Sequence, residues 1–194
     1  WAGVSFGQSE RTQSTFVYKS TQCPFSIPSG ERAECGYLTV PENRSKNSEG
    51  KITLFVTVVK SYSRTPKTDP IVFLSGIEGG ASSAQLARGE YWDSFARFRQ
   101  DRDMVFVDQR GTGNSQPNLL CLSLPSSNVL SKQDYLLKLR GCRDRLLKKK
   151  IDLTAFNSKE SARDVIDLMR AKGYKRCNIL AGAYSSRVAS AVAG

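Results

Sequence analysis

Histidine is absent from all 194 residues. No imidazole can serve as general base, proton shuttle or metal ligand, so a self-contained Ser-His-Asp triad and a His-ligated metal site are both excluded. None of the five cysteines forms a C-x-x-C pair, which argues against a zinc ribbon or a thioredoxin-type redox motif. No metal and no cofactor is expected. No apolar run approaches the roughly 20 residues needed to cross a bilayer, so no membrane span is expected. The first 20 residues are polar, without a charged n-region leading into an apolar h-region. An exported form of the chain would already have lost its signal peptide. G-x-x-x-x-G-K-[ST] is missing too, so Gly111 and Gly113 read as backbone turn positions rather than a phosphate cradle. There is no internal repeat and no low-complexity segment.

What is present points to a folded domain. Hydrophobic residues make up 39% and charged residues 24%, within the range of globular proteins and enough for a core. The net charge is +11. The bases are scattered and no nucleic-acid motif accompanies them, so they read as a solvated surface, with no nucleic acid expected as partner. The one run, Lys148-Lys149-Lys150, closes a helix, where it complements the negative end of the dipole. Local spacing suggests the pairs Cys23–Cys35 and Cys121–Cys142, leaving Cys177 over. Five reduced core thiols fit the same spacing. Asn43-Arg44-Ser45 matches the short N-glycosylation acceptor pattern, which arises often by chance.

Along the chain, residues 1–22 read as an extended leader and 23–194 as the domain. Residues 34–40 and 51–60 alternate and are rich in β-branched side chains, which predicts an antiparallel hairpin. Residues 70–74 are a short, continuously apolar strand, and 103–107 and 177–180 read as two further buried strands. Helices are expected over about 91–99, over 131–150 with Ser131 as cap, from Asn157 or Ser158 to near Gly173, and after Ala181. In the helix of 131–150, Leu136, Leu137, Leu139, Leu146 and Leu147 approximate one apolar face. In the next, Val165, Ile166, Leu168 and Met169 point inward. Strands alternating with helices after a hairpin predict an α/β fold with a mostly parallel sheet.

Two loops carry the chemical signal. A glycine-rich loop, Ser75-Gly76-Ile77-Glu78-Gly79-Gly80, follows the strand of 70–74. The strand of 177–180 runs into Ala181-Gly182-Ala183-Tyr184-Ser185-Ser186-Arg187 and then a helix of small residues. That is the order in which an oxyanion loop and a nucleophile elbow, G-x-S-x-G, occur on a strand-turn-helix scaffold. Between them lies Asp108-Gln109-Arg110-Gly111-Thr112-Gly113-Asn114-Ser115, the pattern D-Q-R-G-T-G-x-S without a break.

With Cys23-Pro24, Glu34 to Pro41, and Ser161 to Asn178, these segments resemble the proline-iminopeptidase and tripeptidyl-aminopeptidase group of α/β-hydrolases. The resemblance covers nearly the whole chain but only the first half of a family member. It implies an α/β-hydrolase fold incomplete at its C-terminus, and a secreted or periplasmic serine hydrolase that removes short peptides from N-termini or cleaves small esters. Secreted members carry cysteines at similar places, which favours both disulfides. Asp108, Arg110, Gly111 and Gly113 would structure their loop rather than touch substrate. Gly76, Ile77 and Tyr184 would stand at the oxyanion position.

The departures from the family are as informative. The family's nucleophilic serine falls on Ala183, whose methyl group cannot attack a carbonyl. The framing glycines fall on Ala181 and Ser185, and the oxyanion loop reads Gly76-Ile77-Glu78-Gly79, with a carboxylate where negative charge would develop. So many changes point to natural loss rather than one engineered substitution. Ser185 and Ser186 lack a base and read as structural, and Cys177 reads as a core thiol. The expectation is a hydrolase-like chain that is inactive as it stands; the alternative is a catalytically dead binding or interaction module. A half-built sheet also leaves a strand edge, so a second polypeptide or self-association is expected to complete it.

Overall fold

The computed structural model describes residues 3–5, 16–46, 49–76, 90–121 and 131–194. Seven strands form one sheet in the order β1-β7-β5-β6-β4-β3-β2. The expected hairpin is β3 (Ala33–Pro41) with β4 (Lys51–Val59), in register from Ala33 opposite Val59 to Pro41 opposite Lys51. The short apolar strands are β5 (Ile71–Leu74), β6 (Met104–Val107) and β7 (Arg176–Ala181). β5 lies between the other two and is parallel to both.

The sheet is mixed rather than mostly parallel, which corrects the expectation. Of the six pairings, only β5–β6 and β5–β7 are parallel. Two strands inside the stretch read as a leader account for part of the difference. β2 (Val17–Thr21) adds antiparallel to β3, and β1 (Gly3–Ser5) returns to pair antiparallel with residues 176–178 of β7. The edge of β7 is thus covered over three residues.

Strand alternation divides the core between two faces. Leu38, Val40, Ile52, Leu54, Val56, Val58, Val72, Leu74, Val105 and Val107 point to one face. There they meet Val165, Leu168 and Met169 of helix α3 (Ser158–Ala171) and Val188 and Val192 of helix α4 (Ser185–Ala193). Ile166 is only partly buried. On the opposite face, Phe95 of helix α1 (Glu90–Ala96) packs edge-on against Phe73 and Phe106, each with its ring centroid 5.2 Å away. Such aromatic pairs add about 0.5–1.5 kcal/mol beyond the burial itself.

Caps set the helix starts. Asn157 accepts from the Glu160 N–H at 3.0 Å, and Ser131 from the Asp134 N–H at 3.2 Å; each such cap contributes about 1 kcal/mol. Ser131 opens α2 (Lys132–Lys148), whose only fully buried residue is Cys142. Leu139 and Leu146 are half-buried, whereas Leu136, Leu137 and Leu147 are exposed, so the five leucines do not share an inward face.

Both suggested disulfides are formed, Cys23–Cys35 and Cys121–Cys142, with Cα separations of 5.1 and 6.1 Å. The second ties α2 to the loop that follows β6. Cys177 is free and buried, and desolvation pushes its thiol up to about 11, away from the thiolate a nucleophile needs. No helix among the described residues is long and apolar enough to cross a membrane.

Candidate functional site

Gly76, the last described residue after β5, and the turn after β7 meet at the C-terminal ends of these two neighbouring strands. β7 turns through Gly182, Ala183 and Tyr184 into α4, and the tip of the turn is exposed. Ala183 sits at φ +50°, in the left-handed region that L-residues rarely enter. This left-handed residue stands between a strand and a helix. Its side chain is a methyl group.

Gly76, at the end of β5, lies against this turn. A Cβ on it would overlap the Gly182 carbonyl oxygen and come within 3.1 Å of the Ala183 Cβ. Only glycine permits so close an approach. Ile77 and Glu78, the next two residues of the glycine-rich loop, lie outside the described residues. Tyr184 begins the helix at φ −56°, ψ −40°, and its ring is half exposed beside Ala183.

The two serines of the turn are held by backbone. Ser185 is fully buried, and its hydroxyl is within 2.6 Å of the Leu74 carbonyl oxygen and 3.0 Å of that of Gly182. It fastens the start of α4 to β5. The exposed Ser186 hydroxyl donates to the Ala183 carbonyl at 2.7 Å. No group of three or more metal-ligating side chains occurs among the described residues.

The loop after β6 is built from its own side chains. The buried Asp108 carboxylate accepts from the Asn114 N–H at 2.7 Å. Gly113, at φ +53°, passes so near that a Cβ would overlap this carboxylate. Gly111, at φ +83°, accepts from the Leu119 N–H at 2.9 Å. The Ser115 hydroxyl donates to the Asp108 carbonyl at 2.6 Å and accepts from the Phe55 N–H at 2.9 Å, which stitches the loop to β4. Gln109 donates to the Ser75 carbonyl at 2.9 Å and so links this loop to the one carrying Gly76.

Arg110 is part of a buried ionic cluster. Its Nε and Nη2 bind both oxygens of Asp164 at 2.8 Å, and its Nη1 donates to the carbonyls of Glu42 and Ala155 at 2.7 Å. Arg44 meets the same helix through Glu160 and Asp164 at 2.8 Å and Asp167 at 2.7 Å. Burial pushes the Asp164 carboxyl upward, against the pull of Arg110 and Arg44. Burial also raises Glu160, but there the Arg44 hydrogen bond and charge outweigh it and hold the carboxyl below its ordinary value.

This cluster was not anticipated. The available signal was three acids at i, i+4 and i+7 on one helix, a spacing that places them on one face. Beside it, Asn43 is 6% exposed, with its Nδ2 donating to Asp152 at 2.8 Å. In the folded chain that nitrogen has no free face for a glycan.

No family model matches the chain, and no curated protein matches it. Among solved structures it is similar to the rice cell wall degrading esterase LipA from Xanthomonas oryzae and to a point variant of that esterase. Each is 14% identical, with 73% of this chain and 40% of that chain covered and a TM-score of 0.32. The chain thus spans two fifths of the esterase's length. At that TM-score the likeness carries neither fold nor function to this chain.

Proposed function

We propose that the chain has a serine-hydrolase scaffold of the peptidase and esterase type and is catalytically silent as it stands. The observation that supports this reading best is Ala183, held at φ +50° on an exposed strand-to-helix turn whose Gly182 carbonyl leaves no room for a Cβ on Gly76. A left-handed alanine costs about 1 kcal/mol or more relative to an ordinary backbone conformation. It is the conformation that would present a nucleophile if the side chain carried one. Acyl transfer would need a hydroxyl at 183, a base to take its proton, and N–H donors at the developing oxyanion. The chain has no histidine to act as that base.

Turnover of a short-chain p-nitrophenyl ester and of an aminoacyl-naphthylamide tests the reading. Both the native chain and Ala183→Ser should match the uncatalysed rate, because neither holds an imidazole. Hydrolysis by the native chain would overturn the claim of silence. A second reading, a binding or interaction module that keeps the fold without the chemistry, is favoured by Ser185. Its hydroxyl locks the turn to β5 at a position where the resembling family carries a glycine.

A further inference from the structure

The scattered positive charge is not evenly spread in the fold. Residues 131–150 contain eight basic and two acidic residues, more than half of the chain's net +11. Most of them lie on α2, which contributes to none of the three apolar clusters of the core. Its half-buried or buried stripe is Tyr135, Leu139, Cys142 and Leu146, and the Cys121–Cys142 disulfide fixes that stripe inward.

At 3.6 residues per turn, Lys132, Leu136, Arg140, Arg143 and Leu147 then fall within a sector of roughly 80° on one flank of the helix, centred about 90° from that stripe. Leu136 is 44% exposed and Leu147 50%. Arg143 shares its charge with exposed Asp144 at 2.8 Å, a surface pair that costs little to open.

We propose that α2 is a docking helix for an anionic lipid surface, lying in the plane of the membrane rather than spanning it. Charge complementarity selects an anionic partner. The two leucines set among the bases select lipid, because apolar side chains gain by entering the acyl boundary while arginine and lysine stems snorkel to the headgroups. A polyanion without an apolar phase leaves those leucines in water. All five residues of this flank are exposed.

Co-sedimentation of the 194-residue chain with vesicles tests the proposal. One set is phosphatidylcholine with a third phosphatidylglycerol, and the other is phosphatidylcholine alone, both at 0.1 M salt. Binding is expected to the first and not to the second. The double variant Leu136→Gln/Leu147→Gln keeps every charge, and Lys132→Gln/Arg140→Gln keeps both leucines. Each should lower the partition coefficient by about tenfold or more. All four side chains are exposed, so the variants should melt like the parent. No enrichment on the anionic vesicles would overturn the proposal, as would equal binding to neutral ones. Binding that the leucine pair does not affect would also overturn it, and would assign the face to a purely ionic partner such as a nucleic acid or an acidic polysaccharide.

Discussion

Replacing Arg110 with methionine would test how the loop after β6 is held. The Arg110 side chain is 1% exposed and its partner Asp164 3%. The substitution keeps much of the side-chain volume but deletes a bidentate ion pair and leaves the carbonyls of Glu42 and Ala155 without these donors. Breaking a buried pair by removing one partner costs about 3–5 kcal/mol. Arg44 still reaches Asp164 at 2.8 Å, which limits the uncompensated charge and moves the expected loss toward about 3 kcal/mol. The two orphaned carbonyls add roughly 1 kcal/mol each. The sum, about 5 kcal/mol, lowers the melting temperature by about 10–20 °C for a domain of this size.

Thermal and urea unfolding followed by circular dichroism would measure it. The double variant Arg110→Met/Asp164→Leu removes both partners and should be less destabilised than Arg110→Met alone. A single variant that melts within about 2 °C of the parent would refute the assignment of Arg110 as a structural anchor.

Other outcomes follow from the turn at Ala183 and from the charge pattern. Ala183→Gly relieves the left-handed strain at φ +50° and should stabilise the chain by about 0.5 kcal/mol, the entropy of the added glycine offsetting part of the gain; urea midpoints at constant slope would read it. Gly76→Ala places a Cβ on the Gly182 carbonyl and should destabilise by about 3 kcal/mol or abolish folding, measured in the same way. For pH, Glu160 is held low by Arg44 and Arg110 against its own burial. Asp152 is held low by its hydrogen bond from Lys46, then those of Thr154 and Asn43. Depressed carboxyls contribute stability that is full above their ordinary values, 4.5 and 3.8, and is lost as pH falls through the folded values. Asp164, raised by burial, works in the opposite sense and softens the slope. Urea stability should therefore change little between pH 5 and 7, where no histidine titrates, and decline below about pH 4.5.

Local pattern explains what was legible in the sequence. The β3–β4 hairpin could be read from alternation, and the strand-turn-helix at Ala183 from a short apolar run followed by small residues. β1 and β2 could not be read this way. Their sequences, GVS and VYKST, are short, and β2 is mostly exposed. β1 is placed by β7, far along the chain, and β2 by the hairpin strand β3, rather than by their own periodicity. The acids of α3 were visible as a spacing, but their arginines lie 120 and 54 residues away from Asp164, and no local rule links them. The leucines of α2 misled because five of them resemble a core face. The disulfide at Cys142 fixes the rotation of that helix and turns only two of them inward. Convergence of Gly76 with Ala183 was implied by the order of the loops, whereas the steric demand on Gly76 is visible only in three dimensions.

Fluorophosphonate labelling of Ala183→Ser in the presence of added imidazole is the most direct test of the central claim, that the turn at 183 presents a nucleophile position in a chain without a base. Free imidazole can enter an exposed turn and take the proton that no residue of this chain accepts. The account predicts a label located by mass spectrometry at position 183, formed at a rate that rises with imidazole concentration, and none on the native chain. A label spread over surface serines, or none at 183 at any imidazole concentration, would contradict it.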